Sequence, residues 1–145
     1  MTSILFYHGA GNRLQAAAEW LGRPGHEHRP VIVYVPSNDD CQKLDRLLWS
    51  ALATGFVPHC MADDRLAPET PIVLASGLEN PVSDECLLNL SDEVPPGFSR
   101  FQSLVEIVSV DDHDRLPGRE RFRFYRERGY PLRNEDISNG FESNG

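Results

Sequence analysis

The chain has 145 residues, of which 40% are hydrophobic and 25% charged, and its formal net charge is −8. These values are typical of a single globular domain with an ordinary hydrophobic core. The longest apolar runs, such as residues 31–35, are far shorter than the roughly 20 residues that a membrane crossing needs. Three widely spaced cysteines suit neither a disulfide framework nor a CxxC zinc motif. We therefore expect a cytoplasmic protein without membrane contact.

The first half of the chain predicts alternating strands and helices. Apolar runs at residues 3–7 and 31–35 predict two strands, and the second run, rich in β-branched residues, is typical of a central strand covered on both faces. Asn12 is placed to cap a helix that ends at Gly22, and Ser37 is placed to open a second helix. This alternation predicts a parallel sheet with right-handed crossovers.

The second half predicts further strands and one long helix. The strands are expected at residues 72–75, 86–90 and 104–110. The last helix is expected to begin between Asp112 and Arg119 and to stop at Gly129. Pro117 leaves two alternatives, because a proline beyond the first turn destabilises a helix: the helix begins near Leu116, or it is kinked.

These elements together predict one α/β domain over residues 1–137, with a mostly parallel central sheet flanked by helices. Residues 138–145 are dominated by Ser, Asn and Gly, and we expect them to form a disordered tail. The rest of the chain contains no repeat and no low-complexity segment.

A glycine pair between the first strand and the first helix stands where a dinucleotide-binding fingerprint would begin. Gly9 and Gly11 match the first part of that pattern, but Leu14 occupies the position of its third glycine. Pro36 and Ser37 stand where the pattern needs an acidic residue. The sequence therefore predicts a tight turn and no nucleotide site.

Other reactive patterns are weak. Lys43 is the only lysine and no GK[ST] motif occurs, which excludes a Walker loop. His26 and His28 are the only pair with a spacing that zinc could use, and they fall in a predicted loop. Cys41 lies in the first turn of the second helix without a basic neighbour in sequence, so we interpret it as a small residue that faces the core. The pattern favours an adaptor over an enzyme, with no metal, cofactor or small-molecule substrate.

Positive charge is concentrated near the C-terminus. Residues 115–133 hold seven arginines and two glutamates, a formal charge of +5, whereas the remainder holds 7 basic and 20 acidic residues, a charge of −13. Arg115, Arg119, Arg123 and Arg126 form one stripe if the helix is continuous, and stacked like charges destabilise a helix by a few tenths of a kcal/mol per pair. Such a stripe with interleaved aromatic residues fits an acidic peptide that has an apolar end. A merely solvated face and direct binding of single-stranded nucleic acid are the alternatives.

Two segments of the chain resemble a known family. The first runs from Lys43-Leu44-Asp45 to Trp49 and continues with Phe56-Val57-Pro58-His59. The second is Arg119-Glu120-Arg121-Phe122-Arg123-Phe124-Tyr125-Arg126, followed by Gly129-Tyr130. With the order of strands and helices, these segments resemble the chi subunit of bacterial DNA polymerase III over roughly residues 3–132.

The resemblance implies a noncatalytic accessory subunit with a Rossmann-like, three-layer fold and no nucleotide site. It also implies two protein partners. One is the psi subunit, which tethers chi to the clamp loader, and the other is the acidic C-terminal tail of single-stranded-DNA-binding protein. DNA would then be contacted only indirectly.

The resemblance further implies which residues form the two interfaces. The expected tail-binding residues are Arg115, Arg119, Arg123 and Arg126, with Phe122 and Val108 as walls for the apolar end of the tail. The expected psi-binding residues are Trp49, Phe56, Val57, Pro58 and His59. By its sequence pattern alone, Trp49 fits an interface and a core position alike.

Overall fold

The computed structural model describes residues 1–23, 30–50 and 58–141. Within these ranges it has seven strands, three α-helices and two short 3₁₀ turns. The strands are β1 (Ser3–Ala10), β2 (Val31–Tyr34), β3 (His59–Met61), β4 (Ile72–Ala75), β5 (Cys86–Asn89), β6 (Ser103–Ser109) and β7 (Leu132–Asp136). The helices are α1 (Arg13–Leu21), α2 (Asn38–Ser50) and α3 (Asp112–Glu127).

The seven strands form one sheet in the order β3-β4-β2-β5-β6-β1-β7, and every strand pairing is parallel. Ile4 of β1, for example, stands opposite Leu104 of β6 and Leu132 of β7. Parallel sheets need cover on both faces, and helices provide it here. The prediction of an α/β domain with a mostly parallel sheet is confirmed.

The central strand β2 shows how each face acquires its own core. Val31 and Val33 pack in the cluster that contains the apolar side chains of α1 and α2. Ile32, which points the other way, packs in the cluster that contains Tyr125 of α3. Successive strand residues point to opposite faces, so a continuous apolar run fits a strand between two layers of helices. The layers are therefore α1 with α2, the sheet, and α3.

The predicted caps of the first two helices are present. The Asn12 side chain accepts a hydrogen bond of 2.9 Å from the Gln15 amide, and the Gly22 amide donates to the Ala18 carbonyl at the other end of α1. The Ser37 hydroxyl accepts a hydrogen bond of 3.2 Å from the Asp40 amide at the start of α2. These side chains pair amide groups that a helix start leaves without an intrahelical partner.

The structure excludes one of the two alternatives for the third helix, a start near Leu116. The helix begins at Asp112 and runs through Pro117, so a start near Leu116 is wrong. Asp111 caps it by accepting from the His113 amide, and Asp114 in the first turn accepts from both the amide and the hydroxyl of Ser109. These contacts stabilise the first turn before the chain reaches the proline.

Sequence patterns did not indicate the two edge strands, β3 and β7. Each has one neighbour, and the residues of β7 are mostly exposed or half-buried, so neither carries the apolar pattern of a central strand. After β7, the buried Ile137 and the ring of Phe141, which meets Tyr7 edge-to-face at 4.9 Å, pack against the core. Of the predicted tail, residues 142–145 lie outside the described ranges. Among the described helices, none is long and apolar enough to cross a membrane.

A buried polar cluster joins α3 to the sheet. The Arg121 guanidinium donates from Nε to both carboxylate oxygens of Glu106 at 3.1 Å, and the two side chains are 2% and 0% exposed. Tyr125 donates its hydroxyl to the same carboxylate at 2.6 Å, and the Asn89 amide donates to it at 2.9 Å. Burial, followed by the Glu106 charge, raises the pKa of Tyr125, so the hydroxyl keeps the proton that it donates.

We expect Glu106→Gln to lower the free energy of unfolding by about 3–5 kcal/mol, because it leaves the Arg121 charge buried without a counter-charge. Urea denaturation monitored by circular dichroism measures this difference. Glu120→Gln is the matched control, since it breaks the exposed 3.3 Å pair with Arg123, which contributes less than about 1 kcal/mol. Similar, small losses in both variants would contradict the importance of the buried pair.

Candidate functional site

A groove of about 420 Å³ lies between α3 and the β7 edge of the sheet. We call it the basic groove. Its wall is formed by α3, its floor by β1 and β6, and its far side by β7. The residues that matter below are Arg115, Gly118, Arg119 and Phe122 on the wall, Phe6 and Val108 on the floor, and Asn134 on the far side.

The floor of the basic groove is apolar and well packed. Phe6 and Val108 are almost fully buried, with 4% and 3% of their surface exposed. The half-buried ring of Phe122 meets Phe6 edge-to-face, with ring centroids 5.2 Å apart and planes at 90°. Such an aromatic pair fixes the position of both rings. The floor can therefore take an apolar side chain without first rearranging.

Two guanidinium groups stand at the rim. Arg115 pairs with Asp112 one turn earlier in α3, and its side chain is 42% exposed. Arg119 is exposed and forms no ion pair within the described part of the chain. An exposed pair such as Arg115–Asp112 contributes at most about 1 kcal/mol, so an incoming carboxylate can replace Asp112. The rim therefore offers two cations beside an apolar floor.

The rest of the predicted stripe flanks the groove and does not line it. Arg123 is exposed and pairs with Glu120 at 3.3 Å. The Arg126 guanidinium lies over the Phe122 ring, 5.8 Å from its centroid. The structure thus brings Arg115, Arg119, Phe122 and Val108 together around one groove, with Arg123 and Arg126 outside it.

Two other arginines of the basic segment are engaged within the chain. Arg121 is buried in the ion pair with Glu106, and the guanidinium of Arg128 stacks on the Phe124 ring at 3.8 Å. The sequence contains a signal for the burial of Arg121. It lies three residues after Gly118 and four before Tyr125, so all three residues share the helix face that packs on the sheet.

Sequence reasoning missed several residues of the groove, among them Phe6 of its floor. Asn134 lies on β7, which was not predicted, and His8 lies beyond the predicted end of the first strand at residue 7. Gly118 was noted only as part of a helix interruption. No pattern indicated that the sheet would extend past β1, so the far side of the groove could not be inferred.

A second surface contains three of the residues expected at the psi interface. Trp49 is 59% exposed at the end of α2, so it does not occupy a core position. Its indole meets the His59 ring at 5.3 Å, and His59 Nε2 lies 2.8 Å from the Asp45 carboxylate. The His59 side chain is only 2% exposed, whereas Pro58 is exposed. His59 therefore supports Trp49 from below. Phe56 and Val57 lie outside the described residues.

An acidic side chain lies against Gly9, which belongs to β1 and not to a separate turn; the pairing of β1 with β6 shifts register there, between Tyr7 and Ala10. Gly9 has a φ of +85°, and a Cβ there would lie 2.8 Å from the Asp136 carboxylate. The Ser138 amide donates to that carboxylate at 2.8 Å and lowers the pKa of Asp136, which keeps it charged. A negative charge packed against Gly9 disfavours a nucleotide phosphate. The positive φ of Gly9 explains the glycine without a ligand.

The sequence contains two other candidate reactive groups, the Cys41 thiol and a possible metal site. Cys41 is half-buried, and burial, followed by the charge of Asp45, raises the pKa of its thiol. A protonated thiol is a poor nucleophile. Within the described ranges, no group of three His, Cys, Asp or Glu side chains is arranged to hold a metal ion. His26 and His28 lie outside those ranges.

The sheet and the groove together define a Rossmann-like α/β domain whose surface groove combines cations with apolar side chains. Residues 1–133 match the family described as DNA polymerase III chi subunit, HolC. The chain belongs to this family, which confirms the resemblance seen in its sequence.

Curated relatives agree with the family match. The chain is 35% identical over 125 residues to the DNA polymerase III subunit chi of Pseudomonas aeruginosa, covering 86% of this chain and 87% of the relative. It is 27% identical over 110 residues to the same subunit of Haemophilus influenzae, covering 75% and 76%. It is 27% identical over 118 residues to that of Escherichia coli, covering 81% and 77%.

Proposed function

We propose that this chain is a noncatalytic accessory subunit that links the clamp loader to single-stranded-DNA-binding protein during DNA replication in the bacterial cytoplasm. The basic groove binds the acidic C-terminal tail of single-stranded-DNA-binding protein. The surface around Trp49 binds the psi subunit, which attaches the chain to the clamp loader. Membership of the chi family supports this proposal.

The observation that carries the proposal is the pairing of two cations with an apolar floor in one groove. Arg115 and Arg119 can each offer two parallel N–H donors to a carboxylate, a geometry that fits acidic side chains and a terminal carboxylate. Phe6, Val108 and Phe122 provide contact for an apolar end. An acidic tail with an apolar end meets both requirements, whereas a solvated charged face needs no apolar floor.

Direct binding of nucleic acid remains the alternative, and the contacts of the arginines favour it less. A strand binder uses a continuous basic surface that follows the phosphates. Here Arg121 is buried against Glu106, Arg128 stacks on Phe124, and Arg123 pairs with Glu120 outside the groove. These contacts divide the basic segment into an open groove and internally paired positions, which suits a short partner.

The psi interface rests on the exposed tryptophan. Trp49 is 59% exposed, and Met61 at the sheet edge is 37% exposed. Exposed apolar residues grouped with a tryptophan are typical of a protein interface, where tryptophan is enriched among the residues that dominate affinity. His59, held by Asp45, fixes one side of the indole, so Trp49 is partly preorganised for a partner.

We expect a labelled peptide from the acidic C-terminus of single-stranded-DNA-binding protein to bind with micromolar affinity, about −8 kcal/mol. Arg119→Ala should weaken binding about tenfold or more, because a charge-assisted hydrogen bond contributes about 1.5–3 kcal/mol. Arg123→Ala should weaken it less, since Arg123 lies outside the groove. Fluorescence anisotropy measures each dissociation constant.

Arg128→Ala is the matched control, because it removes an arginine of the same helix that stacks on Phe124 away from the groove. Arg128→Ala should bind the peptide within about twofold of the affinity of the unsubstituted chain. A change of this size is usual for a surface substitution away from a binding site. Unchanged affinity in Arg119→Ala would contradict the assignment of the tail to this groove. Tight binding of bare single-stranded DNA with a steep salt dependence would support the nucleic-acid alternative instead.

For the second surface, we expect Trp49→Ala to weaken the complex with psi by about 2 kcal/mol or more, which is typical of a tryptophan at the centre of an interface. Isothermal titration calorimetry with purified psi measures the change. Leu66→Ala, at another residue that is 52% exposed, is the control and should leave affinity unchanged. If Trp49→Ala binds psi as tightly as Leu66→Ala does, the psi interface does not include Trp49.

A further inference from the structure

The outermost strand β7 has one side that pairs with no described strand. It ends the strand order of the sheet, and its neighbour is β1. An exposed edge strand presents amide and carbonyl groups that can pair with a strand of another chain. Charged side chains usually prevent such pairing, and β7 carries Arg133, Glu135 and Asp136. The order of these charges decides whether they repel every partner strand or select one.

The backbone hydrogen bonds show which residues of β7 face its open side. The Pro131 carbonyl accepts from the Ile4 amide of β1. At the other end of the strand, the Ile137 amide donates to the His8 carbonyl of β1. Backbone groups of successive strand residues point alternately to the two neighbouring strands, so the odd-numbered residues face β1. The residues that face the open side are therefore Leu132, Asn134 and Asp136.

Two side chains of opposite charge flank the central residue of β7. Arg133 and Glu135 lie on the same face of the sheet, with 3.6 Å between the guanidinium and the carboxylate. Their side chains are 78% and 44% exposed. An ion pair this exposed contributes at most about 1 kcal/mol, so it does not hold either side chain back from a partner strand.

The sequence of β7 is self-complementary about Asn134. If a second copy pairs antiparallel with the two Asn134 residues opposite each other, Arg133 of each copy stands opposite Glu135 of the other. The residues that face the open side then form the hydrogen-bonded pairs. Arg133 and Glu135 form the non-hydrogen-bonded pairs, in which side chains come closest.

The charges also exclude the neighbouring registers. A two-fold axis at residue 133 would place Arg133 opposite Arg133, and an axis at residue 135 would place Glu135 opposite Glu135. Like charges directly opposite each other destabilise a strand pair. The charges of β7 therefore select the one register that is centred on Asn134.

We propose that β7 is a self-association surface, on which a second copy of this chain adds its own β7 antiparallel about Asn134 and joins the two sheets into one. The partner is a second copy because a two-fold interface uses the same surface on both subunits, and β7 complements itself in backbone and in charge. A pairing of five residues buries less surface than a standard interface, so the dimer is weak and depends on concentration.

The dimer would bring two basic grooves together on one face. The two-fold axis of this pairing is perpendicular to the joined sheet, so α3 lies on the same face in both copies. Asn134 is on the far side of each groove, so the two grooves flank the seam between the copies. A partner with two acidic tails would gain affinity from the second contact. This consequence rests on the proposed binding of an acidic tail, whereas the strand pairing itself does not.

Sedimentation equilibrium of the full chain tests the pairing. The unsubstituted chain should dimerise with a dissociation constant below ~1 mM. Arg133→Glu and Glu135→Arg should each weaken the dimer about tenfold or more, because each places like charges opposite at both cross-strand positions. An equimolar mixture of the two variants should associate about as tightly as the unsubstituted chain, since every cross-strand contact in the mixed pair again joins opposite charges.

Two control variants separate the cross-strand contacts from the change in net charge. Arg65→Glu and Glu69→Arg reverse the same charges at exposed residues between β3 and β4, near the other edge of the sheet. Both should dimerise like the unsubstituted chain. All four positions are exposed, so the variants should fold, and thermal unfolding followed by circular dichroism checks this for each.

Four results would overturn the inference. The first is a chain that stays monomeric up to ~1 mM. The second is a dimer that persists in Arg133→Glu and Glu135→Arg, since it would use another surface. The third is a mixture of these variants that does not associate, and the fourth is an equal loss in the controls. Weak dimers of each single variant with recovery in the mixture support it. Peptide anisotropy measures the proposed tail binding independently of all these results.

Discussion

The ion pair between Glu106 and Arg121 fixes α3 on the sheet, and the groove depends on that position. Three donors converge on the one Glu106 carboxylate, Arg121 and Tyr125 from α3 and Asn89 from β5. A buried pair contributes little net stability, because desolvation offsets much of the attraction. Its geometry nevertheless restricts the position of α3, because few placements of the helix bring both Arg121 and Tyr125 to the Glu106 carboxylate. Because Phe122 adjoins Arg121 in the helix, fixing Arg121 also fixes the ring above the groove floor.

The strand order separates the two proposed binding surfaces. The basic groove lies at the β1–β7 edge, and the surface around Trp49 lies next to β3, the strand at the other edge. Neighbouring strands are about 4.8 Å apart, so the two edges of a seven-stranded sheet are on the order of 30 Å apart. Two partners can therefore bind without touching each other. A linking subunit needs this arrangement, and a single rigid sheet provides it.

The parts of the fold that were predicted from sequence are those with strong local signals. The β-branched run of β2 and the caps Asn12 and Ser37 form the structures that their local sequence patterns predict. The sequence of β7 has no apolar pattern of this kind, because an edge strand with an open side can be polar. The start of α3 was ambiguous because the acidic caps that stabilise its first turn compete with the breaking effect of Pro117, and propensity alone does not show which prevails.

The candidate site was predictable in part for a related reason. Helical spacing placed Arg115, Arg119 and Phe122 on neighbouring faces, because α3 is continuous. The same spacing placed Arg121 on the face of α3 that packs on the sheet, but it could not show that Glu106 would be its partner, since the two residues lie on different elements. Nor could it show that α3 lies so close to Val108 of β6 at Gly118 that a Cβ there would clash.

The uneven charge of the chain explains why a short acidic tail suits the groove better than a nucleic acid. Outside residues 115–133 the chain carries a formal charge of −13. Charges more than about 8–10 Å apart are largely screened in physiological salt, so a tail held within the groove interacts mainly with Arg115 and Arg119. A nucleic-acid strand is a long polyanion, and the net negative charge of the chain outside residues 115–133 would repel it. The net negative charge therefore disfavours a long polyanion. Screening reduces the same repulsion for a short acidic tail that lies close to the two arginines.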